Sequence, residues 1–183
     1  MVLFDKYLHK YDFSERHHLE INASSDQIMQ AVAAYDPKDD AFFRKMIALR
    51  ELPLRFVGWV TRKQASQTPF GLHNFQLLER TTKERVYGLI GRFWQADYGL
   101  VTIADGEAFL RFNEPGVAKL ALGYIAVESI NGKTVLTTET RVHCPDRGSY
   151  LRFAPYWYAI RPVSGWIRRR MLHSIKRLSE TVV

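Results

Sequence analysis

The chain has 183 residues, with 26 Lys and Arg against 19 Asp and Glu and a single cysteine. At 46% hydrophobic and 13% aromatic residues it is too apolar for a disordered segment and too well supplied with charge for a membrane-embedded protein. Residues 1–146 balance 18 basic against 18 acidic side chains, while residues 147–183 carry 8 basic ones against Glu180 alone, so the whole formal +7 lies in the last fifth of the chain.

Phe13, Leu19, Ile21 and Ala23 fall on one face of an extended segment, which predicts a half-buried first strand over residues 13–23. Ser24 followed by Gln27 is a capping box, and Ile28, Val32 and Tyr35 continue at helical spacing, so a short helix is expected to end near Asp36 and Pro37. Asp39 and Asp40 suit the positive end of a second short helix whose stripe is Phe42, Phe43, Met46, Ile47 and Leu49, stopped by Pro53. Leu54 to Val60 adds a turn or two of helix at most, and residues 64–71 read as a loop.

From Leu72 to Cys144 the pattern is that of strands. His73–Arg80 and Arg85–Trp94 flank the polar turn at residues 81–84, and Glu107–Phe112 is expected as a further strand before the turn at Pro115-Gly116. Val117–Ile130 and Lys133–Cys144 are predicted to pair across Asn131-Gly132, a dipeptide that tolerates positive φ at both turn positions. Beyond Pro145, Ile160, Val163, Ile167, Met171, Ile175 and Leu178 form one apolar stripe, which predicts a long helix, kinked at Pro162 and Gly165 or regular only from Pro162 onward.

An antiparallel sheet with one long amphipathic helix laid across it is an α+β architecture that leaves an apolar cavity wherever sheet and helix do not meet. The strand-to-helix entry Ile21-Asn-Ala-Ser-Ser-Asp-Gln-Ile28, the element order and the final helix make the chain resemble the SRPBCC superfamily over residues 13–180. This is the helix-grip fold of the StAR-related lipid transfer domains, the birch pollen allergen group and the polyketide cyclase/dehydrase-like bacterial proteins. Gly91-Arg-Phe-Trp94, Pro115-Gly116, Thr138-Glu-Thr-Arg-Val142 and Phe153, Tyr156-Trp157, Ile160, Pro162, Ser164 and Ile167-Arg-Arg169 look like a bacterial subgroup of it. The resemblance implies a single domain over residues 1–183, a curved antiparallel sheet wrapped around the C-terminal helix, and two short helices after the first strand. It spans carriers, receptors and enzymes, so function rests on the site.

On this fold Phe70, Phe93, Trp94, Tyr98, Phe109, Phe112, Tyr124, Tyr156, Trp157 and Tyr158 are expected around the cavity or its rim, with Phe70, Trp94, Phe109, Tyr124, Tyr156 and Trp157 as ligand-lining residues. The competing reading is that they fill the core. Glu139, Arg141 and His143 project from one face of the last strand. Turned inward, Arg141 can hold a carboxylate or phosphate and Glu139 can act as a base, with Tyr124 a third weak catalytic candidate; turned outward, they form an ion-pair ladder. The apolar residues on the opposite face of that strand favour the outward orientation.

No metal-ligand spacing links the six histidines, and His17 and His18 face opposite ways in a strand, as do His143 and Cys144, so neither a metal nor a cofactor is expected. The charged N-terminal residues Asp5, Lys6, His9 and Lys10 argue against a secretory signal, no 18-residue apolar run is present, and the unpaired Cys144 suits a reducing cytoplasm. Arg168, Arg169 and Arg170 beside the apolar stripe form a solvated face or a contact with anionic membrane; nucleic acid ranks last because no recognised motif accompanies the charge. The expectation is therefore a cytoplasmic protein that binds a hydrophobic or amphipathic small molecule between sheet and helix. A polyketide cyclase-type enzyme is the alternative, and a membrane-associated lipid carrier the third. Oligomeric state is not legible.

Overall fold

Residues 3–35, 74–95, 97–129 and 131–181 are described in the computed structural model of the chain. The expected second helix at Phe42–Leu49, the stretch 54–60, the loop 64–71 and Phe70 lie outside them.

The first strand and helix form as their residues dictate. Strand β1 (Phe13–Ile21) leads into helix α2 (Ser25–Ala34), after a short helix α1 (Leu3–Tyr7) that the sequence reading did not anticipate. Ser24 accepts from the Gln27 amide while the Gln27 side chain accepts from the Ser24 amide at 2.9 Å, so the capping box satisfies two otherwise free donors. Strands β2 (Gln76–Arg80), β3 (Glu84–Gly91), β4 (Ala118–Glu128) and β5 (Thr134–His143) follow as a meander, and β1 adds to the β5 side, giving the order β1-β5-β4-β3-β2 with every pair antiparallel.

The turn between β4 and β5 is longer than the expected two-residue one. Ladder pairing ends at Glu128 and Thr134, the Ser129 amide donates to the Lys133 carbonyl at 2.7 Å, and the Gly132 amide returns to Ser129 at 3.1 Å. Gly132 has φ of 76°, the left-handed region that only glycine enters freely.

The expected strand at Glu107–Phe112 is instead helix α3 (Gly106–Arg111). Asp105 supplies the deciding interaction: its carboxylate accepts from the Ala108 amide at 2.8 Å and starts a helical turn. At the other end the buried Lys119 ammonium donates to the Phe112 carbonyl at 2.9 Å, taking up an acceptor that the end of the helix leaves free. Burial lowers the Lys119 pKa.

Helix α4 (Arg147–Glu180) is one 34-residue helix that passes through both Pro155 and Pro162. The expectation that regular helix begins near Pro162 is corrected by its start at Arg147, where Asp146 is the cap. Both prolines stand on the exposed side, so the carbonyls they leave without helical partners, four residues back at Leu151 and Tyr158, belong to exposed residues.

Asp146 accepts from the Gly116 amide at 2.7 Å, the Ser149 hydroxyl at 2.6 Å and the Ser149 amide at 2.8 Å. These bonds, the Gly116 amide foremost, hold its carboxyl down at about 2, below the usual 3.8. A carboxyl depressed in the folded state contributes stability that is complete above its unfolded pKa and is lost as pH falls through the folded one. Asp146→Asn is therefore expected to lower the unfolding free energy at neutral pH, with the gap to the parent narrowing from about pH 4 toward pH 2. Urea unfolding at a series of pH values measures this, and a gap independent of pH would refute the assignment.

The sheet divides two cores. On one side α4 and α2 cover Phe13, Ile21, Leu120, Leu122, Tyr124, Leu136 and Val142. On the other, α1 and α3 place Phe4, Tyr7, Leu8 and Phe109 over Val86, Ile90 and Ala121. The result is a helix-grip arrangement, an antiparallel sheet with a long C-terminal helix packed against it.

Candidate ligand site between the sheet and the C-terminal helix

Antiparallel register fixes which side chains share the face beneath α4. One row runs Glu15, Thr140, Leu122, Tyr87 across β1, β5, β4 and β3, and the next runs His17, Thr138, Tyr124, Arg85. They are flanked by apolar rows, Phe13, Val142, Leu120, Leu89 on one side and Leu19, Leu136, Ala126 on the other. A polar band therefore crosses a face that is apolar elsewhere.

Helix α4 meets this band with three residues. Gly165 lies over Glu15 and His17, Arg168 Nη1 donates to Thr138 Oγ1 at 2.9 Å, and the Tyr124 hydroxyl donates to Met171 Sδ at 3.2 Å. The approach at Gly165 is close: a β-carbon there would stand 3.0 Å from Glu15 Oε1, and that carboxylate would have to shift to admit it. Burial raises the Tyr124 pKa against the opposing pull of the Arg168 charge, so its phenol is a neutral hydrogen-bonding group.

Glu15 and His17 form a pair at the β1 edge of the band, with Glu15 Oε1 2.7 Å from His17 Nε2 and Glu15 only 8% exposed. The other imidazole nitrogen has no partner among the described residues, so Glu15 can fix the ring with that nitrogen open to a bound molecule. It opens on a groove of about 510 Å³ that Arg161, Trp166 and Arg169 also line. The sequence reading assigned His17 to one face of a strand but did not join it to Glu15. Two polar residues at alternate positions between Phe13 and Leu19, on the face meant to be buried, were the available signal.

Two buried polar atoms of the band, Thr140 Oγ1 and Arg85 Nε, have no hydrogen-bond partner among the described residues. Leaving such an atom unpaired costs about 1–3 kcal/mol. Within the band, these two are the atoms that a bound molecule would complete.

An aromatic cluster adjoins the band. Phe153 is its centre, with ring centroids 5.1 Å from Phe13, 6.2 Å from Phe93, 6.5 Å from Trp94, 5.8 Å from Tyr156 and 5.9 Å from Trp157. Trp94, Tyr156, Trp157 and Phe93 thus come together beneath α4, and Tyr124 and Tyr98 belong to the same core, the Tyr124 ring centroid 6.2 Å from that of Tyr87. Phe109 does not, and its assignment as a ligand-lining residue is corrected. As part of α3 it packs with Tyr7 on the opposite side of the sheet, against the same core as Phe112, while Tyr158 is 62% exposed with its ring centroid 6.4 Å from that of Phe13.

Glu139 and Arg141 also face away from α4, so their candidacy as catalytic groups of the cavity is corrected. They are not the solvated ladder that an outward orientation suggested either. Arg141 Nε donates to Glu139 Oε1 at 2.7 Å and Nη1 to Asp5 Oδ1 at 2.6 Å, and its guanidinium lies 4.6 Å from the Phe4 ring, clamping α1 to the sheet. His143 Nδ1 is 3.2 Å from Asp12, and burial pushes the Cys144 thiol up to about 12, so these two residues make no thiolate and base pair. The three arginines divide: Arg168 reaches inward to Thr138, whereas Arg169 and Arg170 are exposed. Among the described residues no three His, Cys, Asp or Glu side chains come together as metal ligands would, and no helix is long and apolar enough to cross a membrane.

No family model matches the chain, and no curated protein does. Among solved structures, the protein TTHA0849 from Thermus thermophilus is similar at 7% identity and a TM-score of 0.34, over 92% of this chain and 98% of that one. The Zhui aromatase/cyclase from Streptomyces sp. R1128 is similar at 10% identity and a TM-score of 0.28, over 92% and 93% of the two chains. Both likenesses are distant and concern the fold alone.

Proposed function

We propose that the protein binds a hydrophobic or amphipathic small molecule between the sheet and α4, with its apolar part among Trp94, Tyr124, Tyr156 and Trp157. The observation that carries this reading is the pair of buried, unpartnered polar atoms, Arg85 Nε and Thr140 Oγ1, on the face that these aromatics share. A core built only for stability pairs its polar atoms or replaces them with apolar ones. A ligand that carries an acceptor would complete Arg85, while burial of its apolar surface, at roughly 25 cal/mol per Å² before association costs, would supply the affinity. Binding is preferred to cyclase-type catalysis because Glu139 and Arg141, the base and the anion-holding group expected of a cyclase-type site, belong to the other side of the sheet.

Native mass spectrometry before and after organic extraction is the test, followed by titration of the extracted protein with a dansyl-labelled fatty acid. A co-purifying species and saturable uptake are expected, with Arg85→Met weakening uptake about tenfold through loss of a charge-assisted hydrogen bond. A protein that is empty as purified and takes up no probe would overturn the reading.

A further inference from the structure

The outer face of α4 is divided along its length in a way that stability alone does not require. At 100° per residue, Leu151, Pro155, Tyr158, Pro162 and Trp166 fall on one exposed line, and Arg169, Arg170, His173, Lys176 and Arg177 continue it. Leu151, Tyr158 and Trp166 are 59%, 62% and 59% exposed. Scattered exposed apolar residues are ordinary, but three large ones aligned on a single helix, running into a basic end, form a patterned surface.

We propose that this face of α4 docks on an anionic phospholipid surface, Trp166 and Tyr158 entering the headgroup boundary while Arg169 and Arg177 lie against the phosphates. The charge fits: α4 carries basic residues to a single acid, Glu180, which is itself engaged, 3.7 Å from Lys176 and accepting from the Asn22 amide at 2.9 Å. The apolar line fits as well, because the boundary of a bilayer takes up indole and phenol rings together with aliphatic side chains. A nucleic acid would use the arginines but leave Leu151, Pro155 and Pro162 in water. A second copy of the chain would bring the same sign of charge to the contact. The inward face is committed to Thr138 and Tyr124 through Arg168 and Met171, so docking needs no rearrangement of the core. Trp166 and Arg169 also border the groove onto which Glu15 and His17 open, whereas Leu151, Tyr158 and Arg177 do not line it.

Flotation of the full chain with vesicles of phosphatidylcholine, or of equal parts phosphatidylcholine and phosphatidylglycerol, tests the proposal. Binding is expected to the anionic vesicles and to fall with added salt. Trp166→Ala should weaken it about tenfold through lost apolar burial, and Arg169→Gln with Arg177→Gln about 25-fold, at roughly fivefold per charge. All three positions are exposed, and an unchanged unfolding midpoint verifies that the variants fold. The proposal is overturned by absence of flotation, by equal binding to both vesicles, or by a Trp166→Ala variant that binds as tightly as the parent. It is equally overturned by a dimer that Trp166→Ala dissolves, or by duplex DNA that binds more tightly than the vesicles and depends on the same residues.

Discussion

Phe153→Ala is expected to remove about 3–5 kcal/mol of unfolding free energy, a large part of what a domain of this size has to lose. Phe153 is 1% exposed and stands at the centre of five other aromatic side chains contributed by β1, by the turn after β3 and by α4 itself. Truncation deletes the transfer energy of a phenyl ring and leaves a hole that large flat neighbours cannot close without leaving their rotamers. Because Phe153 ties the first strand to the last helix, the loss should appear as one cooperative shift in urea unfolding, the same by far-ultraviolet circular dichroism as by tryptophan fluorescence. A loss below about 1 kcal/mol would mean that the cluster is loosely packed and that Phe153 does not hold the core together.

Local chemistry explains what could be read from the residues alone. Ser24 and Gln27 are three residues apart, so their capping box depends on nothing distant, and the apolar stripe of α4 repeats often enough for its period to stand out. α1 and α3 have five and six residues, too few for any period, and α3 exists because Asp105 caps it and Lys119 closes it from another strand. The polar band was illegible for a different reason. Thr138, Tyr124 and Arg85 come from three strands, and only the register that places them in one row with His17 turns four ordinary residues into a polar band. Arg168 shows the limit of counting charges: it borders the stripe, and its long side chain can reach either solvent or sheet, so the hydroxyl of Thr138 and not the helix period decides its direction.

Replacing Arg141 separates a structural from a catalytic role on the other side of the sheet. Arg141→Met is expected to cost about 3–5 kcal/mol while leaving uptake of the dansyl fatty acid by folded protein unchanged. Glu139 is 5% exposed, and the guanidinium is its close partner at 2.7 Å; without it the nearest cation is Arg16 Nε at 3.4 Å, on a side chain 64% exposed whose hold is screened by water. The same substitution frees Asp5 of α1 and the Leu8 carbonyl, which Arg141 Nη1 now serves at 2.6 and 3.1 Å, so α1 should loosen as the sheet weakens. Much of the cost is the penalty of a stranded buried carboxylate and not the worth of the pair itself. Adding Glu139→Leu to Arg141→Met should therefore recover part of the loss, giving a double variant more stable than Arg141→Met alone. A double variant less stable than either single one would show instead that the two side chains act separately. Weakened uptake in a folded Arg141→Met protein would return Arg141 to the ligand's side of the sheet.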